Sequence, residues 1–271
     1  MYKKIYKKYH YSLILLRELV ITEFKLRYQG SILGYLWSLL RTLFLFVILY
    51  VVFVFFLRIG SDIPYWPVAL LLGIVVWNFF AEVTNNGVTS IVNRGDVIRK
   101  INFPKYVIVL AGSVSALINL AINLIVIMLF MAISGVSLGW TALLAPLFIV
   151  EIFIFALGLS FILSALFVKL RDINYIWEII MQALFYASVV IYPLAMVLER
   201  STDLGKILLL NPVAQTIQDI RHSLISDVNP TLYSLTGDWT ITLIPVAIVA
   251  VVAIFGVWYF KKKSPSFAEN I

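Results

Sequence analysis

Six long apolar stretches run along the chain, separated by short segments that carry most of its charge. A helix needs roughly 20 apolar residues to cross a hydrocarbon core of ~30 Å. The pattern therefore predicts an all-α integral membrane protein with six transmembrane helices in a single transmembrane domain of residues 1–271. The predicted spans are Leu33 to Leu57, Pro67 to about Val92, Tyr106 to Ile133, Trp140 to Val168, about Tyr175 to Leu198, and Ile241 to Phe260.

The composition supports a membrane location. Hydrophobic residues make up 62% of the 271 residues and charged residues only 13%. A water-soluble core of that composition would leave large apolar surfaces in contact with water. No cleavable signal peptide is expected, because the first long apolar run starts too late and is too long, so the first span acts as its own insertion signal.

The basic residues predict the orientation of the chain. Cytoplasmic loops of membrane proteins are enriched in Lys and Arg. Only Arg58, Arg200, Lys206 and Arg221 fall on one side, and the other side carries sixteen basic residues. We therefore expect a multi-pass protein of the cytoplasmic membrane with both termini in the cytoplasm. The sixteen are Lys3, Lys4, Lys7, Lys8, Arg17, Lys25, Arg27, Arg94, Arg99, Lys100, Lys105, Lys169, Arg171, Lys261, Lys262 and Lys263.

Residues 1–32 precede the first span and predict an amphipathic interface helix. Apolar residues recur there at spacings of three and four, which suits a helix on the membrane surface. The pattern leaves open whether this helix is a plain anchor or a platform for a cytoplasmic partner. The apolar positions are Ile5, Tyr9, Leu13, Leu16, Val20 and Phe24.

Two predicted cytoplasmic loops carry candidate contact residues. The loop between spans two and three has enough apolar positions for one or two helical turns ending before Pro104. A short charged helix of this kind suits another protein's groove, although a solvated turn also fits. The second loop places Arg171 beside Asp172, so on a helix the two would point in different directions.

Residues 199–240 form the long predicted external segment. After Asn211 and Pro212, apolar residues recur at helical spacing with polar residues around them, at Val213, Ile217, Ile220 and Leu224. A short amphipathic helix in or dipping into the outer leaflet fits this pattern. It predicts either an outer gate or simple packing on the external rim. The sixth span, 241–260, and a cytoplasmic tail, 261–271, follow.

Charged residues inside the spans need a use, because burial of charge in a bilayer is costly. Arg41, Glu82, Glu151 and Glu178 fall within the apolar runs. An ion pair between Arg41 and a carboxylate and a polar lining for a charged substrate both fit. Glu82 and Glu151 also leave open a proton-coupled carrier, although no His lies in any span.

Aromatic residues, 15% of the chain, occur within the spans as well as at their ends. Such rings can stack on the apolar faces of sugars while hydroxyl groups bond to sugar oxygens. For any single ring, contact with lipid or with another helix is the more common use. The candidate substrate-path residues are Trp37, Arg41, Tyr50, Phe185, Tyr186 and Tyr192.

Several functions find no support in the sequence. The chain has no cysteine and no phosphate-binding G-x-x-x-x-G-K-[ST] loop. No metal cluster or catalytic motif is present, so we expect no enzyme activity and no cofactor bound by this chain. The net charge of +7 is accounted for by orientation and anionic lipid headgroups, so it calls for no nucleic-acid partner.

Five short stretches, in order along six spans, resemble the permease subunits of type-2 ABC exporters for cell-surface polysaccharides, such as O-antigen and teichoic acid. The similarity covers nearly the whole length. The stretches are Phe24 to Leu40, Asp96 to Lys105 ending in Asn102-Phe103-Pro104-Lys105, Val168 to Asp172, Ile191 to Leu194, and Leu210 to Pro212; a basic tail from Lys261 to Ala268 is also similar.

The resemblance implies a homodimer joined to two copies of a separate ATPase, which would bind ATP and Mg. It also implies that the loop between spans two and three docks on that subunit and that residues 199–238 supply gate helices. A lipid-linked glycan would pass through a channel at the dimer interface, lined by the aromatic-rich spans one and five. The expected ATPase-coupling residues are Asp96, Arg99, Lys100, Phe103, Pro104 and Lys105, with Arg171 and Asp172 as a second contact.

Two alternatives remain open from the sequence. An ABC exporter of a small amphiphile or drug shares the architecture. A gradient-driven secondary transporter using Glu82 and Glu151 belongs to another class.

Overall fold

The computed structural model describes residues 12–23, 25, 33–34, 36–100 and 103–270. Regular structure in this part of the chain is entirely helical. Most of the predicted interface segment, including Ile5, Tyr9 and Phe24, lies outside the described residues, as do Ile101 and Asn102.

The helices follow one another with short connections. Helix α1 covers residues 12–23. It is followed by α2 (Leu36–Leu49), α3 (Trp66–Ser90), α4 (Gly95–Lys100), α5 (Tyr106–Ile133), α6 (Ala145–Lys169), α7 (Ile173–Ala187), α8 (Leu194–Leu198), α9 (Thr202–Leu209), α10 (Pro212–Leu224), α11 (Leu232–Thr236), α12 (Trp239–Thr242), α13 (Ile244–Lys263) and α14 (Phe267–Asn270). A π-helix, Tyr50–Phe56, extends α2, and short 3-10 helices precede α4, α6 and α14.

Five helical segments in the described residues are long and apolar enough to cross a membrane. They are Leu39–Phe56, Trp66–Ser90, Tyr106–Ile133, Trp140–Lys169 and Trp239–Asn270. They correspond to predicted spans one to four and six. Many of their apolar side chains are exposed on the outside of the bundle, as expected for surfaces that contact lipid tails.

The predicted fifth span is divided into two helices. Helix α7 has 15 residues, about 22 Å at 1.5 Å per residue, which is shorter than the ~30 Å hydrocarbon core. The chain then leaves the helical path between Ser188 and Pro193, and Val189 has a positive φ of 55°. It resumes as the five-residue helix α8.

Helix α3 is the centre of the bundle. Seventeen of its 25 residues are buried, on every side of the helix. It packs against α2, α5, α6, α7 and α10. Because this one helix contacts most of the others, its position determines where both ends of the bundle lie.

Helices α6 and α13 form a close contact between backbones. A Cβ atom added at Gly158 would lie 2.8 Å from the Cα atom of Ala253, and one added at Gly256 would overlap the carbonyl group of Gly158. Small residues at helix interfaces in membranes permit such close approach, which maximises van der Waals contact. The sixth predicted span is thereby held against the fourth.

Helix α10 is buried inside the bundle, where it packs against α3, α6 and α13. It does not lie flat on an outer surface with a polar face exposed, because Gln215, Gln218 and Arg221 are buried together with its apolar residues. The sequence predicted a short amphipathic helix in or dipping into the outer leaflet, and it did not anticipate that the polar residues would be buried within the bundle.

Arg221 connects α10 to the broken segment. Its Nε donates a hydrogen bond to the carbonyl oxygen of Ala69 (2.9 Å), and its Nη1 and Nη2 donate to those of Val189 (2.8 Å) and Val190 (2.7 Å). The side chain is fully buried, with the guanidinium carbon 5.1 Å from the ring centre of Trp66. A buried carbonyl without a partner costs free energy, so Arg221 stabilises the break after α7.

Helix α1 packs on the bundle along one side. Leu15 and Leu19 contact a buried apolar cluster of the bundle, whereas Leu13 is 62% exposed. Glu23 forms an ion pair with Arg94 at 3.6 Å. The predicted contact of the apolar face of α1 with the membrane surface stays a prediction.

We expect Arg221→Met to lower the free energy of unfolding by about 3 kcal/mol, because three carbonyl groups lose their donor in a buried site. Thermal unfolding of the purified protein, followed by intrinsic fluorescence, measures the change. Arg200→Met is the matched control, since Arg200 is exposed and its loss should leave the transition unchanged. Equal stability of the two variants would contradict the role of Arg221.

Candidate functional site

One end of the bundle collects the basic residues predicted to be cytoplasmic. We call it the basic end; it is where α3, α6 and α13 finish and α5 begins. Among the described residues, those at this end include Arg94, Arg99, Lys100, Lys105, Lys169, Arg171, Lys261, Lys262 and Lys263.

Helix α4 sits on the basic end with one face buried and the other exposed. Ile98 is 6% exposed and lies in an apolar cluster with Phe267 of the C-terminal helix α14. Asp96, Arg99 and Lys100 are all exposed. The predicted short charged helix is therefore present, and its charged side chains are accessible to a partner.

The residues that follow α4 contact the chain itself. Phe103 is only 7% exposed, in the same cluster as Ile98, and Pro104 is half-buried. Lys105 donates a hydrogen bond to the carbonyl oxygen of Ser264 at 2.6 Å. Partial burial lowers the pKa of Lys105, and the Glu269 carboxylate opposes that shift. These three residues anchor α4 rather than offering an outward surface.

The second predicted contact lies at the same end. Arg171 and Asp172 are both exposed between α6 and α7. The Arg171 guanidinium lies over the ring of Phe167, at 5.2 Å from its centre. Val168 belongs to the cluster that holds Ile98, so both loops rest on one apolar base. A role for either loop in coupling to an ATPase stays a prediction.

The predicted substrate-path residues fall into separate groups. Tyr50 contacts Phe46 in the extension of α2, with ring centres 5.8 Å apart. Trp37 and Arg41, nearer the start of α2, line a cavity between α2, α3 and α5. The first-span candidates are thus distributed along α2 and do not meet at one point.

The other three candidates cluster where α7 ends. Phe185 packs edge-on against Trp77 at 5.4 Å between ring centres. Tyr192 donates a hydrogen bond from its hydroxyl to the backbone oxygen of Tyr186 at 2.7 Å. The ring of Tyr186 is 61% exposed, so this aromatic cluster presents one accessible ring beside the broken segment.

The cavity between α2, α3 and α5 has a volume of about 470 Å³. Glu82 of α3 and Asn119 of α5 meet there, with Asn119 Nδ2 donating to Glu82 Oε2 at 2.9 Å. Arg41 and Glu82 line the same cavity, and an ion pair between Arg41 and a carboxylate stays a prediction. The cavity brings polar groups from three predicted spans to one place.

Sequence reasoning missed the asparagines of this cavity. Asn85 lies seven residues after Asn78 on α3, and Asn123 lies four residues after Asn119 on α5, which places each pair on one face of its helix. That periodic spacing inside apolar runs was the available signal. The residues are Asn78, Asn85, Asn86, Asn119 and Asn123.

The remaining intramembrane carboxylates lie elsewhere. Glu151 of α6 neighbours Gln215 and Asp219 of α10, away from the cavity that contains Glu82. Glu178 is exposed on α7. Glu82 and Glu151 therefore occupy different environments, formed by different helices.

The helices and the polar cavity define a multi-pass membrane protein of the transporter class, since polar groups within spans mark substrate or ion pathways. The sequence profile described as ABC-2 type transporter matches residues 14–225, and the chain belongs to this family. The resemblance predicted from the motifs is thereby confirmed at the level of the family.

Similar proteins include an O-antigen export system permease protein RfbA of Klebsiella pneumoniae, 31% identical over 159 residues. That match covers 56% of this chain and 60% of the relative. The protein of the same name from Myxococcus xanthus is 29% identical over 146 residues, covering 54% of this chain and 55% of the relative. The chain thus spans little more than half the length of these curated relatives.

We expect Phe103→Ala to loosen α4 from the basic end, because removing a buried phenylalanine side chain costs about 3 kcal/mol. Limited trypsin digestion measures the effect: cleavage after Arg99 or Lys100 should become faster. Val97→Ala is the control on the same helix, since Val97 is 40% exposed. Unchanged cleavage of the Phe103 variant would show that Phe103 does not anchor α4.

Proposed function

We propose that this chain is the membrane permease subunit of an ATP-driven ABC exporter. Its substrate would be a lipid-linked polysaccharide of the O-antigen or teichoic acid type, moved outward across the cytoplasmic membrane. Membership of the ABC-2 family supports the transport role. The similar proteins are named as O-antigen export permeases, which supports the substrate class.

A separate ATPase subunit would supply the energy and would hold ATP and Mg. The observation that carries this proposal is the geometry of α4, which exposes Asp96, Arg99 and Lys100 while Ile98 fixes the helix to the bundle. An exposed charged helix that packs on an apolar cluster can be displaced by a docked partner and can transmit that displacement to the bundle. Both termini would then lie in the cytoplasm, at the basic end.

A displacement of α4 can reach the bundle through a short connecting segment of the chain. Helix α4 follows α3 through the 3-10 turn Val92–Arg94. Because α3 packs against five other helices, a displacement of α4 acts directly on the centre of the bundle. Arg171 and Asp172 would form a second contact on the same apolar base.

The active form would be a homodimer in membrane lipid. Helix α7 supports this assembly, since it is too short to span the bilayer and buries only Trp177 and Met181 within the chain. Its other face exposes apolar side chains at Tyr175, Ile176, Ile179, Ile180 and Tyr186. A second copy would cover this face, and the glycan would pass between the copies, beside the aromatic cluster.

Helices α9 to α12 would form the outer gate. In this arrangement Arg221 ties α10 to the break after α7. Opening the gate would then require α10 and the α7–α8 segment to move together.

We expect the double charge reversal Arg99→Glu with Lys100→Glu to uncouple ATP hydrolysis from export, because two exposed cations at the docking helix become anions. Glycan on the cell surface should fall at least tenfold at normal protein levels. ATPase activity of the purified complex should lose its dependence on this subunit. Antibody or lectin staining of whole cells, with the ATPase assay, measures both effects.

Lys206→Glu is the matched control, since Lys206 lies on α9, at the predicted external side, where it pairs only with Asp203 at 3.4 Å. This variant should export normally. Normal export by the double variant as well would refute α4 as the coupling helix.

A further inference from the structure

The cavity between α2, α3 and α5 contains an unusual concentration of side-chain amides for a membrane interior. Five asparagines line it, together with Glu82. All six lie in helical segments long and apolar enough to span a membrane. Polar groups inside a bilayer are costly and are retained where they serve substrates or ions. The asparagines are Asn78, Asn85 and Asn86 on α3, and Asn119 and Asn123 on α5.

Some of these polar atoms lack a protein partner. Asn119 Oδ1 and Asn86 Nδ2 are buried and have no hydrogen bond within the described part of the chain. The other groups are held in place: Asn119 Nδ2 donates to Glu82, and Asn123 Nδ2 donates to the backbone oxygen of Asn119 at 2.8 Å. Two residues of the cavity wall therefore carry a buried polar atom without a partner, beside a space of ligand size, since ligand pockets measure about 300–1,000 Å³.

The chemistry of the lining selects the ligand class. An amide both donates and accepts hydrogen bonds, as a sugar hydroxyl does. A bare phosphate accepts only, and the Glu82 carboxylate would repel it. Trp37, 48% exposed at the cavity, supplies a ring on which the apolar face of a sugar can stack. Arg41 and Glu82 contribute one charge of each sign, so the site suits a neutral, hydroxyl-rich molecule.

A second polar cavity lies beside the first, toward the basic end. It has a volume of about 370 Å³ and shares Asn86 with the first. It is lined by Thr89, Ser90 and Asn93 of the α3 end and by the Glu23–Arg94 ion pair. Polar side chains therefore line α3 continuously from the proposed cytoplasmic end to the interior.

We propose that the asparagine-lined cavity binds sugar rings of the exported glycan as they enter from the basic end. This inference rests on the proposed function. It places the entry site on α2, α3 and α5, apart from the aromatic cluster at the end of α7. The amides exchange hydrogen bonds with successive hydroxyl groups while Trp37 holds a ring face.

Single cysteines provide a test in native membranes, because the natural chain has none. The variants Asn85→Cys and Asn123→Cys place a thiol in the cavity, and Tyr186→Cys places one in the aromatic cluster. Ile125→Cys is the control on α5, since Ile125 is 66% exposed. Each thiol is coupled to a benzophenone maleimide in membranes that contain the cell's own glycan. After irradiation, the purified chain is stained for sugar by periodate oxidation, and the masses of its adducts are measured by mass spectrometry.

We expect sugar staining of the cross-linked chain to be at least tenfold more intense with the label at position 85 or 123 than at position 125. Sugar adducts from position 186 alone, or only phospholipid adducts from the cavity positions, would overturn it while leaving the proposed function standing. Unchanged surface glycan after depletion of the chain would instead overturn the proposed function.

Asn123→Leu tests the site without a label, since leucine has the same branched arrangement of side-chain heavy atoms as asparagine and no hydrogen-bonding group. We expect surface glycan per copy of the protein to fall about tenfold, the equivalent of one lost good interaction. Asn270→Leu, at the exposed end of α14, is the control and should export normally. Full export by the Asn123 variant, with normal protein level, would count against the cavity.

Discussion

Inside a bilayer, every polar group of the backbone needs a hydrogen-bond partner. In this protein one side chain, Arg221, supplies partners where the helical hydrogen bonds are interrupted. Between α7 and α8 the chain leaves the helix, so its carbonyl groups lose their usual donors. Arg221 supplies donors to Val189 and Val190 from a different helix, and to Ala69 at the start of α3. The broken span, the buried position of α10 and the placement of α3 all depend on that guanidinium.

Helix α3 connects the two halves of the proposed mechanism. Near its first turns it meets Arg221, and a side chain at Gly73 would collide with that guanidinium. Its other half carries the polar face of the cavity and leads directly into α4. A helix packed on nearly all sides shifts as a rigid body, because close-packed interiors resist local deformation. In the proposed mechanism, docking at α4, sugar binding and movement of the outer segments all involve helix α3.

Much of the fold and part of the candidate site followed from sequence patterns. Apolar length predicted the five long spans, and the alternation of charge predicted the exposed residues Arg99, Lys100 and Arg171. The packing of Leu15 and Leu19 on the bundle and the hydrogen bond from Lys105 to Ser264 did not follow, because both depend on which surface the folded bundle offers. The asparagine spacing was visible in the chain, yet only the packing of α3 on α5 turned it into a cavity.

The sequence by itself determined the class of the protein, since a bilayer permits only helices for apolar runs of this length and composition. It also determined the distribution of charge between the two ends. Tertiary structure alone decided that the helix would break within the apolar run from Tyr175 to Leu198. The hydrogen-bond donors that stabilise the break come from Arg221, which lies more than 20 residues further along the chain. Contacts between distant residues carry no local signature, so periodicity could not anticipate them.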